Sequence, residues 1–251
     1  MRRRWDLGEL IAVLSGKGGT GKTSVCAGLA TALASLGESV LCIDCDIGLR
    51  NLDIALGLAD ANAISFLEVC RGDYDLSAAL RHPQYPGLAF LTAPVNCTPE
   101  DIDKAALSAM LRAAREQYKY VFLDAPAGVD LGFKLCAAYA DRVIVVTNPE
   151  PAAVRDAARA GELLELMGKE NVRLIVNRID KKLFEKMRVT VDDAMDEAGL
   201  PLLGIVPEDR NVTLAAAFES PLLRYTRKGA AAACRRIAKR LQGTWVKVPV
   251  R

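Results

Sequence analysis

The chain has 251 residues, 51% of them hydrophobic and 25% charged, which is enough to bury a sizeable globular core. Its 33 basic and 31 acidic residues leave a formal charge of +2, so the charge balance predicts no nucleic-acid partner. No apolar stretch approaches the roughly 18 residues that cross a bilayer. The seven cysteines are scattered through apolar segments, a usage typical of buried thiols in a reducing, cytoplasmic compartment.

Strand-like and helical patterns alternate along most of the chain. Residues 1–8 form a basic leader, which we expect to be flexible, and residues 243–251 form a short tail. The predicted strands are apolar throughout: Leu10–Leu14, Val40–Ile43, Ala89–Leu91, Val121–Leu123, Val143–Val146, Leu174–Val176 and Leu203–Val206. The predicted helices are Ser24–Leu36, Ala105–Gln117, Ala152–Met167, Val191–Ala198 and Ala230–Gln242. Such strands are typical of a parallel sheet covered by helices on both faces, so we expect an α/β fold: a single doubly wound domain, residues 1–251, with a mostly parallel central sheet.

A glycine-rich loop follows the first predicted strand. Residues 16–23 read Gly-Lys-Gly-Gly-Thr-Gly-Lys-Thr and fit G-x-x-x-x-G-K-[ST], whose backbone N–H groups wrap the phosphates of a nucleoside triphosphate. The next helix would place its N-terminus, which favours negative charge, against those phosphates. The candidate phosphate-binding residues are Gly16, Lys17, Gly18, Gly19, Thr20, Gly21, Lys22, Thr23 and Ser24. Because one lysine suffices for a single nucleotide, Lys17 calls for a separate explanation.

Carboxylates follow two of the predicted strands. Asp44 and Asp46 are two residues apart on an extended segment, so we expect both to face the loop, where they could hold magnesium-bound waters or orient an attacking water. Asp124 ends a hydrophobic strand in the manner of a Walker B element, and Gly128 soon after it would let the backbone approach a γ-phosphate. Acids also end strands as simple turn formers, but beside a phosphate loop we favour function.

Two later strands end in groups suited to a nucleobase. Asn177 could pair with a purine edge through its amide, and Pro207 offers an apolar surface for stacking. Either residue could instead be a turn former.

These motifs together resemble the deviant-Walker group of P-loop ATPases, and within it the MinD family of septum-site-determining ATPases. The resemblance covers about residues 9–242, and its matching pieces are residues 15–23, 44–53, 124–128, 147–156 and 204–209. The most discriminating piece is Asp-Ile-Gly-Leu-Arg-Asn-Leu-Asp at 46–53, because partition ATPases of the group typically carry Asp-Pro-Gln after the second aspartate.

The resemblance implies ATP and Mg²⁺ as ligands and a role for each site residue. Lys22 would bind the β- and γ-phosphates, with Thr23 as a magnesium ligand and Asp44 and Asp124 supporting the metal shell. Asp46 would position the attacking water. Lys17 would reach the phosphates of the partner subunit in a face-to-face dimer, so that hydrolysis needs two ATP-loaded copies. The remaining matches are the adenine-binding positions Asn177, Pro207 and Asp209.

The resemblance also implies partners: a second copy of the chain, a division inhibitor and an ATPase-activating protein. The family's terminal membrane-binding helix is not evident, since we interpret Ala230–Gln242 as a packed core helix with a basic face. Trp5 and Trp245 stand near basic residues, which suits lipid headgroups. Reversible attachment to the inner face of an anionic membrane is therefore a hypothesis.

Other functions of the same group stay open. A flagellar-number regulator shares the Asp-x-Asp-x-Gly-Leu pattern but normally has more than the eight residues found here before the first strand. A partition ATPase would suit the basic residues of the last helix. A metal-cluster ATPase could use Cys97 and Cys136, although neither has a suitable neighbouring pattern. Arg50, Asn51 and Asp53 could contact a partner or be loop scaffolding.

Overall fold

The computed structural model describes residues 7–180, 186 and 190–248. The first six residues of the predicted leader, including Trp5, and residues 249–251 of the predicted tail lie outside this part. The strands are β1 (Glu9–Leu14), β2 (Val40–Asp44), β3 (Leu80–Arg81), β4 (Leu88–Leu91), β5 (Tyr120–Asp124), β6 (Arg142–Thr147), β7 (Val172–Ile179) and β8 (Leu202–Pro207). The helices are α1 (Lys22–Ser35), α2 (Leu52–Leu56), α3 (Phe66–Arg71), α4 (Lys104–Gln117), α5 (Leu131–Tyr139), α6 (Pro151–Leu166), α7 (Val191–Ala198), α8 (Arg210–Ala217), α9 (Leu222–Tyr225) and α10 (Gly229–Leu241).

The eight strands form one sheet in the order β3-β4-β2-β5-β1-β6-β7-β8. Every pairing is parallel except that of β3 with β4. The predicted α/β class with a mostly parallel sheet is confirmed, and each of the seven predicted strands is present. The antiparallel edge strand β3 was not predicted, because two residues are too few to show a periodic pattern.

Helices cover both faces of the sheet, and each face has its own apolar core. Along β1, Leu10 packs into one core, Ile11 into the other and Ala12 into the first again, as the pleat requires. Cys42 belongs to the second core and Cys45 packs against the first, so these two thiols lie on opposite faces of the sheet. All seven cysteines are free thiols.

The last helix, α10, packs on the sheet beside α1. Its apolar residues Cys234, Ile237 and Leu241 are buried, which confirms the interpretation of a packed core helix. The close approach of α10 depends on Gly204 of β8, because a Cβ there would collide with Ile237. Among the described helices, none has both the length and the apolarity to cross a bilayer.

Candidate nucleotide-binding site

The phosphate loop joins β1 to α1 at the carboxyl edge of the sheet. Gly19 and Gly21 have φ angles of 79° and 84°, a left-handed conformation that glycine adopts without strain. Gly21 is the N-cap of α1, so the free N–H groups of that helix point into the loop. On the other side, Gly16 lies so close to the backbone of Asp156 that a Cβ would not fit. The local sequence thus fixes the shape of an anion-binding loop.

A buried ion pair closes the base of the loop. The Lys22 ammonium donates to Asp124 Oδ1 at 2.7 Å, and the two side chains are only 6% and 1% exposed. Burial opposes the charge of Lys22, but the Asp124 carboxylate outweighs it and raises the lysine pKa, so Lys22 is a cation at neutral pH. The β5 strand delivers this aspartate because β5 lies directly beside β1.

Asp124 keeps one oxygen for a further partner. Its Oδ2 is buried and has no hydrogen bond to any described residue, while the Lys22 ammonium that binds Oδ1 also donates to the Thr23 hydroxyl at 3.3 Å. Burial raises the pKa of Asp124, and Lys22 opposes that rise. An unpaired buried carboxylate oxygen next to a hydroxyl fits the outer shell of a magnesium ion, whose bound waters would donate to it.

Asp44 and Asp46 occupy different environments, although the sequence presented them as a pair. Asp44 is fully buried opposite Asp124 on the neighbouring strand, and burial, aided by Asp124, raises its pKa to about 6. Its carboxylate accepts backbone N–H groups from Asp46 at 2.9 Å and from Asn51 and Leu52 at 3.2 Å each. Asp44 therefore also holds the turn that follows β2.

Asp46 stands beyond the end of the strand and is half-buried. Burial raises its pKa, and the positive charge of Lys22 opposes that rise. The carboxylates of Asp46 and Asp124 thus share the electrostatic field of Lys22, and the carboxylate of Asp44 lies within the field of both. A site with surplus negative charge around one ammonium is suited to a divalent cation.

Lys17 lies on the outer side of the loop, away from this buried cluster. Its ammonium reaches Glu150 at 3.4 Å, and the two side chains are 41% and 64% exposed. Glu150 precedes α6, so the pair ties the loop to that helix only loosely. An exposed ion pair of this kind contributes about 0–1 kcal/mol and leaves the lysine available for another anion.

The three predicted base-binding residues come together around a single cavity of about 210 Å³ beside the loop. Gly21 and Ser24, from the phosphate loop and the start of α1, line it together with Asn177, Pro207 and Asp209. The Asn177 amide donates to the Thr20 carbonyl at 2.8 Å, which fixes the side chain between the phosphate loop and the cavity.

Asp209, which lines the same cavity, also caps helices. It is the N-cap of α8, with Oδ1 accepting from Asn211 N at 3.0 Å, while Oδ2 accepts from Ala230 N at 2.9 Å at the start of α10. One carboxylate thus joins two helix N-termini, where its charge is favourable.

Sequence reasoning missed Arg178, which also lines this cavity. Arg178 has a φ of 59° at an irregularity in the pairing of β7 with β8, and its guanidinium bridges Glu208 at 2.8 Å and the Gly19 carbonyl at 3.4 Å. The signal available in the sequence was an arginine directly after a strand-ending asparagine.

Comparisons with known proteins identify the family of the chain. Residues 11–222 match the family described as the CobQ/CobB/MinD/ParA nucleotide binding domain. The chain belongs to the MinD/ParA family.

Members of the MinD/ParA family resemble the chain over nearly its whole length. The septum site-determining protein MinD of Synechocystis is 35% identical over 94% of this chain and 90% of its own. The MinC:MinD cell division protein complex of Aquifex aeolicus contains a chain 34% identical to this one, with a TM-score of 0.88 over 96% of this chain and 98% of that one. MinD from Pyrococcus horikoshii, complexed with Mg-ADP, is 28% identical with a TM-score of 0.78 over 94% and 96% of the two chains. The resemblance inferred from the motifs is confirmed.

Proposed function

We propose that the chain is an ATPase that dimerises on ATP and helps to place the division septum. The observation that carries the proposal is the buried Lys22–Asp124 pair, with its unpaired Asp124 Oδ2, at the base of a complete phosphate loop. The family membership and the septum-site names of its relatives support the cellular role.

The residues of the site divide the work of binding between them. Lys22 is positioned to turn from Asp124 towards the β- and γ-phosphates, and the loop N–H groups wrap the same phosphates. Thr23, Asp44 and Asp124 would hold Mg²⁺ and its waters. When bound, Mg²⁺ neutralises charge that develops on the phosphate oxygens. The cavity beside Gly21 would take adenine against Asn177, Pro207 and Asp209.

Hydrolysis would join an attacking water to the γ-phosphorus and release ADP and phosphate. Asp46 is half-buried, beyond the strand end and within the field of Lys22, so it could hold that water in line for attack. Gly128 has a φ of 93° and donates its N–H to the Ser15 carbonyl, which links the segment after Asp124 to the start of the phosphate loop.

Lys17 would complete the site of a second copy. Its contact with Glu150 is long and exposed, so little free energy holds it in its own subunit. A cation supplied in trans to the transferring phosphoryl group accelerates hydrolysis by roughly 10³- to 10⁵-fold. ATP would then hold two copies together, and hydrolysis would release them.

The proposed partner proteins are inferred from the relatives of the chain. One solved neighbour is a complex of MinD with MinC, which supports a division inhibitor as a partner of this chain. We further propose an ATPase-activating protein and reversible attachment to the inner face of the cell membrane.

The ATPase proposal is tested by measuring phosphate release with and without anionic vesicles, in the wild type, Lys17→Ala and Lys22→Ala. Lys22→Ala should lose nucleotide binding. Lys17→Ala should bind nucleotide with unchanged affinity and fail to hydrolyse it. Normal hydrolysis by Lys17→Ala would show that the cross-subunit role is wrong.

The membrane proposal has its own assay. Vesicles of anionic lipid are sedimented with the protein in the presence of ATP or ADP. Pelleting that requires ATP supports membrane attachment. Pelleting that stays at the background level with both nucleotides contradicts the membrane proposal.

A further inference from the structure

A second cleft lies at the carboxyl edge of the sheet, next to β4 and away from the base cavity. It has a volume of about 250 Å³. Its polar lining includes Arg50 from the turn after β2, Arg71 from the last turn of α3, and Glu68. The sequence singled out Arg50, and nothing in the nucleotide site uses it.

The charges of this cleft are unbalanced. The only carboxylate in its lining, Glu68, already accepts from the Ser65 N–H at 2.7 Å and the Ser65 hydroxyl at 2.8 Å in a capping box. Neither arginine forms an ion pair with any residue in the described part of the chain. Arg50 donates Nε to the Thr92 hydroxyl at 2.9 Å, which fixes its guanidinium and leaves its terminal nitrogens for another acceptor.

The backbone of Arg50 is held in an unusual conformation. Its φ is 40°, in the left-handed region that non-glycine residues adopt only when surrounding contacts enforce it. The enforcing contacts are those of the Asp44 carboxylate with the N–H groups of Asp46 and Asn51, on either side of Arg50. Such conformations concentrate at ligand clamps and switch segments.

The rest of the cleft favours a peptide over a free phosphate. Leu67 and Pro94 line it, as does Val95, which is 58% exposed. Phosphate sites typically use several free backbone N–H groups, but the Thr92 N–H already donates to Ile64, and Pro94 has none. Two forked guanidiniums beside apolar surface suit carboxylates that alternate with apolar side chains.

We propose that this cleft binds an acidic segment of a partner protein, with Arg50 and Arg71 bound to its carboxylates and an apolar side chain packed on Val95. The site is distinct from the nucleotide pocket, but Asp44 connects the two. Nucleotide would therefore alter the affinity of the cleft, a corollary that rests on the proposed function.

The test uses ¹⁵N-labelled, nucleotide-free protein and follows the arginine Nε–Hε signals by NMR. The probe is the peptide acetyl-Glu-Leu-Glu-amide, and the matched probe is acetyl-Gln-Leu-Gln-amide. The Arg50 and Arg71 signals should shift together and saturably with the Glu peptide only. Arg173, whose guanidinium donates to the Val172 carbonyl away from the cleft, serves as the unmoved reference.

Variants separate binding from folding. Arg71→Gln changes an exposed side chain and should raise the peptide Kd by about fivefold or more, since one charge-assisted contact is lost. Arg50→Gln should do the same, and Arg50→Lys should recover part of the affinity. The proposal is overturned by equal shifts with the Gln peptide, by an absence of saturable shifts, or by inorganic phosphate binding as tightly as the Glu peptide.

A repeat with ADP and Mg²⁺ tests the corollary alone. A changed peptide Kd supports the connection through Asp44. An unchanged Kd in protein that binds nucleotide overturns the connection and leaves both the cleft and the proposed function standing.

Discussion

The two lysines of the phosphate loop should differ sharply in what they contribute to stability. Lys22 and its partner Asp124 are 6% and 1% exposed, so replacing Lys22 by Met leaves a carboxylate buried without its cation. Removing one member of such a pair costs about 3–5 kcal/mol of unfolding free energy. Lys17 and Glu150 are 41% and 64% exposed, so Lys17→Met should cost no more than about 1 kcal/mol.

The loss in Lys22→Met should depend on pH. Burial already raises the pKa of Asp124, and without the opposing lysine it should rise further. When the pKa of a carboxyl is higher in the folded than in the unfolded state, the free energy of unfolding falls as the pH rises from the unfolded pKa to the folded pKa. In that pH range the unfolded state has already released the proton that the folded state still binds. The variant should therefore be closest to wild type in acid and furthest from it near pH 8.

Urea denaturation of the nucleotide-free proteins, followed by circular dichroism at about pH 5 and pH 8, measures these differences. The double variant Lys22→Met with Asp124→Asn removes the buried charge and should recover most of the loss. The reasoning is refuted if Lys22→Met is no less stable than Lys17→Met at pH 8, or if the double variant recovers nothing.

Three further predictions concern the walls of the site. Because the pKa of Asp44 is raised from 3.8 to about 6, wild type should lose about 2 kcal/mol relative to Asp44→Asn between about pH 4.5 and pH 7.5, as measured by urea denaturation, and parallel curves would contradict this. Gly21→Ala should weaken binding of a fluorescent ATP analogue by about tenfold or more, since its Cβ meets the Asn177 amide; Gly37→Ala, which has a similar φ and open space, should not change it. Asp209→Ala should lower the thermal unfolding midpoint and cost about 1–3 kcal/mol by uncapping two helices, whereas a cost below about 0.5 kcal/mol would exclude that role.

Local patterns in the sequence were sufficient to predict most of the strands and the phosphate loop. Apolar runs and helical periodicity located the seven longer strands and the five helices named in advance. The loop motif carries its own geometry, because Gly19 and Gly21 supply the left-handed turns that it needs.

Local patterns could not predict the contacts between residues that are distant in the sequence. The Lys22–Asp124 bond joins residues 102 apart and the Asn177–Thr20 bond residues 157 apart, so they depend on strand order, which no local window contains. The two aspartates at the end of β2 looked equivalent in the sequence, yet only Asp44 is buried, because the chain turns around its carboxylate. Assigning Arg178 needed the irregular pairing of β7 with β8.

The central claim is that two copies of the chain enclose two ATP molecules. Size-exclusion chromatography with light scattering, run with Mg²⁺ and a saturating non-hydrolysable ATP analogue, tests it most directly. We predict a mass near twice the 27.0 kDa of the chain with the analogue, and a single-chain mass with ADP. A single-chain mass in both runs, with nucleotide binding verified, would contradict the claim.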